Sequence, residues 1–592
     1  MKLHKLLTFG KLQASLFCTH LIAILRLLFF ILLFGLIGSM AQGQNSRTHT
    51  HSRTASVSRK LKREQRLKED KREQARKNGT NTSFIKGRSQ PTGQHVQRIN
   101  TNLLGHGSPR VRVQSDSSLT ADARYKREAA SLFALPSSIQ EALDSMANAV
   151  MLDRLLSYIN IESQSIDDPS MSSFPMTEGQ RQLARFIYDE ANSLVHKYEA
   201  NDVKVTLSDD YYVYIDIPSN TDEDVPSVLF MAHMDVTPEA PGTGINPIVH
   251  KNYDGKDLVL PDGITLSPDT PQGAHLKDLV GKTIVTSDGT TLLGADDKTG
   301  CAVLITLLEK LTAYSQAARE IGLDLLSQKH GRVMICLSQN EDVGKAAMRY
   351  NPAVFGAKPD VVIDVDGSIP DQFSVANFTA IGQTYYFKGN MAHPSDGKKA
   401  GYADALSAAA YFMGLVPPSM NPSAREGEEG YVHCYSLSHP LDDRGNPIAS
   451  DYVVKVRLRY FDLQEGEMQK QMVADNLRKT QEAFPLVTCT LTDNEIQYQN
   501  IAYTMPDYVP ELLQKAAQKA GMTMQPRSAR GGTTTAMMVA RFPDIIPGGP
   551  DLYSGQNAVH SCYEWCCIEE MLQIVDIAEC IIKEVANLNQ KQ

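Results

Sequence analysis

Three runs of apolar, strand-forming residues lie far apart in the chain, and each breaks off at an acid or an imidazole. Ser227 to Met231 lead into His233 and Asp235, Arg332 to Leu337 into Glu341 and Asp342, and Val361 to Val365 into Asp366. A buried strand that stops this way sets its polar residue at the carboxyl edge of a sheet, where open α/β sheets bind ligands. Before and between these runs the period is helical: Ile139 to Asn160 and Gly300 to Leu311 read as helices, and Thr177-Glu178-Gly179-Gln180 opens another. Alternating strands and helices predict an α/β layer structure. Near Ala376 the pattern changes to strand, then a helix over Ala403 to Leu415, strands around Tyr452 to Tyr460 and a helix from Gln464 to Phe484. That β-α-β-β-α-β order predicts a small ferredoxin-like α+β domain inserted in the larger one. After about Ile501 the α/β pattern resumes and supplies His560.

The first part of the chain follows neither period. Leu27 to Gly38 is an apolar run preceded by Lys2, Lys5, Lys11 and Arg26 and followed by Ser39-Met40-Ala41, so residues 1–42 read as a signal-like or anchor segment. Basic residues crowd its downstream flank, from Arg47 to Lys77, and such a flank resists translocation. A cytoplasmic body is therefore expected, with export or a membrane tether as the alternative. Residues 43–135 are basic and poor in large apolar side chains, which predicts a disordered extension with at most a short helix within Lys60 to Lys77. A translation start at Met146 or Met151 would leave this extension out. The expected organisation is then a main domain in two parts, 136–377 and 501–592, with the insertion at 378–500.

Composition adds limits. With 592 residues the chain exceeds what one hydrophobic core serves, and 42% hydrophobic residues is ordinary for a soluble protein. The net charge of -9 combines a basic first part with an acidic remainder, which argues against nucleic acid as a required partner. Nine cysteines show no scaffold spacing. Cys562, Cys566 and Cys567 read as small buried residues at the start of an amphipathic helix, and a reducing compartment follows.

The chemistry lies in how the polar residues combine. His233-x-Asp235 offers an imidazole for a metal and a carboxylate to hold the ring. Asp296 and Asp297 precede a helix, which allows one to cap it and the other to face cations; a carboxylate bridges two metals where an imidazole cannot, so Asp296 is given the bridging role and Asp297 the cap. Of Glu341 and Asp342, one is expected to bind metal and the other to take a proton from water. With Asp366 and His560 the set suffices for two divalent metals about 3.5–4 Å apart.

Several segments together resemble the peptidase T tripeptide aminopeptidases, within the wider two-zinc exopeptidase family: Thr177-Glu178-Gly179-Gln180, Ala232-His233-Met234-Asp235, Thr291 to Lys298, Asn340 to Gly344, Val365-Asp366-Gly367, His393-Pro394 and Arg530-Gly531-Gly532-Thr533. The resemblance runs from about Leu152 to Ala586. It implies a di-zinc exopeptidase catalytic domain whose inserted domain serves as lid or dimerisation unit, and an activity that releases the amino-terminal residue of short peptides. It implies that His233, Asp296 and Asp366 hold one zinc and Asp296, Asp342 and His560 the other, with Asp235 orienting His233 and Glu341 as general base. His393 would steady the oxyanion, in a homodimer often from the second copy, and Arg459 and Arg530 would hold the substrate's terminal carboxylate. Three positions depart from peptidase T: Asp342 stands for a glutamate, Thr534-Thr535 for Asp-Gly, and the segment around His560 is closer to the wider family. A dipeptidase or amide-bond deacylase of that family is the alternative enzyme, and a non-catalytic binding module the alternative from another class.

Overall fold

A computed structural model describes residues 137–166, 174–175, 177–320 and 329–588. The signal-like segment and the basic extension expected before residue 136 lie outside the described residues. Among the described residues no helix is long and apolar enough to cross a membrane.

Two helices come first, α1 (Ser137–Ile159) and α2 (Glu178–Lys197), followed by β1 (Lys204–Leu207), β2 (Val213–Ile217), β3 (Val228–His233), β4 (Ile248–His250) and β5 (Ile284–Thr286). Next are α3 (Ala295–Glu320), β6 (Val333–Ser338), β7 (Val361–Gly367) and β8 (Gln372–Asn377). The insertion contains β9 (Thr379–Lys388), α4 (Ala405–Gly414), β10 (Tyr431–Ser438), β11 (Tyr452–Tyr460), α5 (Leu463–Ala483) and β12 (Thr488–Tyr498). The chain returns through α6 (Val509–Lys519), β13 (Gln525–Ala529), α7 (Thr534–Arg541), β14 (Asp551–Tyr553), β15 (Gln556–Asn557), β16 (Trp565–Cys567) and α8 (Ile568–Ala586).

The main sheet has the order β1-β2-β6-β3-β7-β14-β8-β13. Its centre is parallel, with β3 between β6 and β7, and every residue of β3 is buried. Burial on both faces is why these strands are continuous apolar runs rather than alternating ones. Phe230, Ile335 and Ile363 pack on one face against α1, α2, α3, α6 and α8, while Leu229, Met334 and Val362 pack on the other with Met537, Met538 and Val539 of α7. Because β3, β6 and β7 are parallel neighbours, their carboxyl ends meet at one edge. That edge holds His233 and the residues that follow β6 and β7.

The insertion forms its own antiparallel sheet, β10-β11-β9-β12, with α4 and α5 supplying the other half of its core through Phe412 and Val473. This is the ferredoxin-like order. Local signals set its helix starts: Asp404 accepts from Ser407 N at 3.0 Å, and Asp462 from Glu465 N at 2.9 Å. One local expectation fails. Cys566 and Cys567 belong to β16, not to a helix start, because Trp565 to Cys567 pair with Thr286 to Ile284 of β5 before α8 begins. Ile568, the first residue of α8, continues the apolar run of the strand before Glu569 and Glu570, so the pattern alone does not mark where strand gives way to helix.

Candidate metal centre

The polar residues that end β3, β6 and β7 converge with the start of α3 and the loop after β15. Helical backbone begins only after Asp297: Asp296 has φ -78° and ψ 106°, which turns its side chain away from the capping position. Asp297 caps the helix, accepting from Gly300 N at 3.0 Å, and its other oxygen accepts from His233 N at 3.2 Å. Gly300 is required where it stands, since a Cβ there would lie 2.1 Å from Val365 O. The close approach it permits lays α3 against the end of β7.

His233 is fully buried, and its Nδ1 lies 3.0 Å from the carbonyl oxygen of Asp235. A carbonyl only accepts, so Nδ1 carries a proton and Nε2 is the nitrogen that faces the acids. The surrounding carboxylates raise the ring well above its ordinary value despite burial, so Nε2 donates to them, and a metal would take that proton's place. That Nε2 faces Asp296 Oδ1 at 3.0 Å, Asp366 Oδ1 at 3.5 Å and Glu341 Oε2 at 3.8 Å. His560 Nε2 lies 3.0 Å from Asp342 Oδ1 and 3.3 Å from Asp296 Oδ2, while its Nδ1 meets Glu239 at 3.1 Å. Asp296 thus directs one oxygen to each imidazole. His560 is held at φ 59°, an uncommon conformation for a residue with a Cβ and a form of local strain that clusters at functional sites.

Asp235 is buried beneath this arrangement. Its two oxygens accept from the backbone N–H groups of Glu341 at 2.9 Å and Asp342 at 3.2 Å, which fixes the turn carrying both acids. Its Oδ1 is also 3.5 Å from His233 Nδ1.

The electrostatics show too little positive charge. Burial lifts the carboxyls of Glu341 well above the usual range, Asp342 to about 8 and Asp366 to about 7, with like-charged neighbours adding to each. Burial would also raise Asp296, but hydrogen bonds from His233 and His560 outweigh it and hold Asp296 low. Hydrogen bonds to Asp296 and Asp342 push His560 up to about 12. Asp342 Oδ2 is buried with no hydrogen-bond partner. Two imidazole Nε2 atoms, each holding a proton where a metal would bind, face several carboxylates, one with an orphaned oxygen, and this donor set fits metal cations in place of those protons. Ligand atoms of His233, Asp296 and Asp342 lie within 4.8 Å of one another, as do those of His233, Asp297 and Asp366.

His393, Arg459 and Arg530 are not joined to this cluster by any hydrogen bond or ion pair among the described residues. His393 is exposed and pairs with Ser395 Oγ at 2.7 Å. Arg459 donates to Leu458 O at 3.0 Å and Gln497 Oε1 at 3.1 Å. Arg530 donates to Gly427 O at 2.6 Å and lies over the Phe378 and Tyr431 rings. Tyr431 is in register with Arg459, so the two arginines flank one aromatic residue where the insertion joins the main sheet.

No family model matches the chain. It is 31% identical over 443 residues to peptidase T of Halothermothrix orenii, an alignment that spans 74% of this chain and 98% of that one. The chain belongs to the peptidase T family. Peptidase T of Geobacillus kaustophilus is 29% identical over 438 residues, 73% of this chain and 97% of that one. Among solved structures, an aminopeptidase of Bacillus cereus has a TM-score of 0.53 and a tripeptidase of Staphylococcus aureus one of 0.52; each is 18% identical and covers 74% of this chain and 99% of its own, so the fold is shared.

In this family member the structure also gives roles to residues that the sequence left without one, Gln180 and Asn340 of the quoted motifs among them. Glu564 is buried and accepts from the backbone N–H groups of Leu293, Gly294 and Asp296 at 2.7, 2.7 and 2.9 Å. It ties the segment of His560 to the turn that presents Asp296. Gln556 donates to Asp366 Oδ1 at 3.1 Å and to its carbonyl at 2.7 Å. Gln180 and Asn340 exchange hydrogen bonds of 2.9 and 3.2 Å just before Glu341. For Glu564, the spacing from His560 was the one available signal.

Proposed function

We infer that this chain is a metal-dependent aminopeptidase that removes the amino-terminal residue of short peptides, tripeptides foremost. Family membership supplies the activity, and the observation that carries it to this chain is the convergence of Asp296, Asp366 and Glu341 on the buried Nε2 of His233. In this reading His233, Asp296 and Asp366 hold one cation and Asp296, Asp342 and His560 a second, both zinc. Histidine with carboxylates is a donor set that suits zinc. When bound, the ions supply Lewis-acid activation of the scissile carbonyl and of a water.

The protein's own residues do the rest. Glu341 takes the proton from the attacking water and returns it to the leaving amine. Its buried position favours the protonated form between those two transfers, as a proton shuttle requires. Asp235 orients twice over, through the His233 ring and through the Glu341–Asp342 turn. Arg459 and Arg530 are assigned the substrate's terminal carboxylate, supported by their common position beside Tyr431, and His393 the developing oxyanion, from a second copy in a homodimer. A cytoplasmic, reducing setting agrees with eight described cysteines that are all free.

Purified protein incubated with a panel of di-, tri- and acylated peptides, with and without chelator, tests this reading by mass spectrometry of the products. Release of the first residue from tripeptides, lost with chelator and restored by zinc, is expected. Cleavage of acylated amines in preference to tripeptides would sink it.

A further inference from the structure

Further along the same strands from the carboxyl edge is a second polar row. Asp364 of β7 is in register with Asp551 of β14, Asp551 with Ser374 of β8, and Ser374 with Arg527 of β13. Residues opposite one another on neighbouring strands share a face, so these four side chains stand side by side across four strands. Asp364 and Ser374 are 0% exposed and Asp551 is 6% exposed.

The row is not satisfied internally. Thr535 N, in the first turn of α7, donates to Asp364 Oδ2 at 2.8 Å and fixes that carboxylate. Asp364 Oδ1, Asp551 Oδ1 and Ser374 Oγ are buried with no hydrogen-bond partner, as is Oγ1 of Thr534 beside Thr535. The register sets Ser374 directly beside Asp551 on the same face of the sheet. Arg527 is the cation of the row, yet no ion pair joins it to Asp551 among the described residues, and its Nε is itself buried without a partner. Two enclosed carboxyls with orphaned oxygens are costly to bury in charged form; burial raises both toward the protonated form, and a cation between them would hold them ionised.

We propose that Asp364, Asp551 and Ser374 form a buried site for a hard, oxygen-preferring cation, such as sodium, potassium, magnesium or calcium, built from residues other than those that converge on His233. The donors are oxygen alone, which selects against the softer metals that favour imidazole or thiolate. Its place in the fold gives it a job. A cation here links β7, which ends in Asp366, to β14, β8 and the start of α7, and so stiffens the strands that present the catalytic edge.

Full-length protein with saturating zinc, to fill the His233 centre, is titrated with each chloride salt while its melting midpoint is followed, with choline chloride as the ionic-strength control. One cation is expected to raise the midpoint saturably, and the midpoint concentration of that effect should rise tenfold or more in Asp551→Asn and in Ser374→Ala. Ser374→Ala removes only a hydroxyl, so it keeps the test decisive if the first variant does not fold. A wild-type midpoint that tracks choline for all four cations overturns the proposal, and so does an unchanged response in Ser374→Ala.

Discussion

Helix α3 carries buried charge at its start and again along its middle, and the two groups are built on opposite terms. At the start, Asp296 and Asp297 join Glu341, Asp342 and Asp366, and the ion pairs these acids make among the described residues are with the imidazoles of His233 and His560. Along the middle, charges meet counter-charges. Arg154 donates to Glu190 at 2.7 Å, Glu309 at 2.7 Å and Thr306 at 2.6 Å, and Glu309 also receives Lys197 at 3.0 Å. Lys310 reaches Asp144, Asp576 and Glu579 at 2.9 Å each. Cations that each meet carboxylates hold α1, α2 and α8 onto α3, and the surplus acids there, Asp144 and Asp576, are open to water, whereas enclosed acids in surplus mark where a cation from outside belongs.

The contrast predicts that the two groups fail differently. Glu341→Gln, at the acid-rich end, should cut turnover by about 10²–10⁴-fold, the usual share of a general acid–base group, while zinc content and melting midpoint stay near wild type. Metal analysis beside steady-state kinetics checks this; loss of metal together with activity would make Glu341 a ligand instead. Arg154→Met, in the paired network, leaves Glu309 and Glu190 short of their counter-charge and should cost about 3–5 kcal/mol of stability. Its kcat per folded molecule should be unchanged. A variant as stable as wild type in denaturant titration would dissolve the distinction.

How far each region could be read in advance follows from the same difference. His233, Asp366, Glu341 and Asp342 were legible because each interrupts or follows an apolar strand, and the insertion because its elements alternate in a recognisable order. Glu564 was not, since its three hydrogen bonds go to backbone more than 260 residues away in sequence, as the 271-residue separation from Leu293 illustrates. Asp364 was hidden inside a run that looked like ordinary buried strand. Arg154 and Lys310 have no local signature either, for an ion pair between helices depends on how the helices pack. Local pattern reports which residues end elements; it does not report which backbone or charge they meet.

Glu564 tests the boundary between the two regions, being a buried acid whose partners are backbone groups rather than charges. Glu564→Gln keeps the shape but replaces one accepting oxygen with an amide NH2, a donor turned toward N–H groups that need an acceptor. By loosening the turn at Asp296 it should weaken zinc binding by about 10–100-fold, the range for residues that orient a ligand. Competition with a chelating dye reads this directly. Unchanged affinity with a lowered melting midpoint would assign Glu564 to the scaffold alone.

The smallest effect belongs to His275, which caps a third, partly exposed network. Its Nε2 meets Glu570 at 2.6 Å, Glu570 accepts from Tyr553 OH at 2.8 Å, and the ring stacks on Trp565. Burial works against the charged ring, but the hydrogen bond to Glu570 and the nearby Asp278 outweigh it, so His275 is raised above its ordinary value. A raised imidazole stabilises the folded state fully below the unfolded value of about 6.5, and that stability is lost as pH rises through the folded value. His275→Gln should therefore lower the melting midpoint most in mildly acidic buffer, by the equivalent of about 1 kcal/mol or less, with the gap closing toward alkaline pH. A gap that stays constant with pH would mean that the ring contributes packing on Trp565 and no charge. His275 would then stand apart from the paired network around Arg154 as well as from the acid-rich edge.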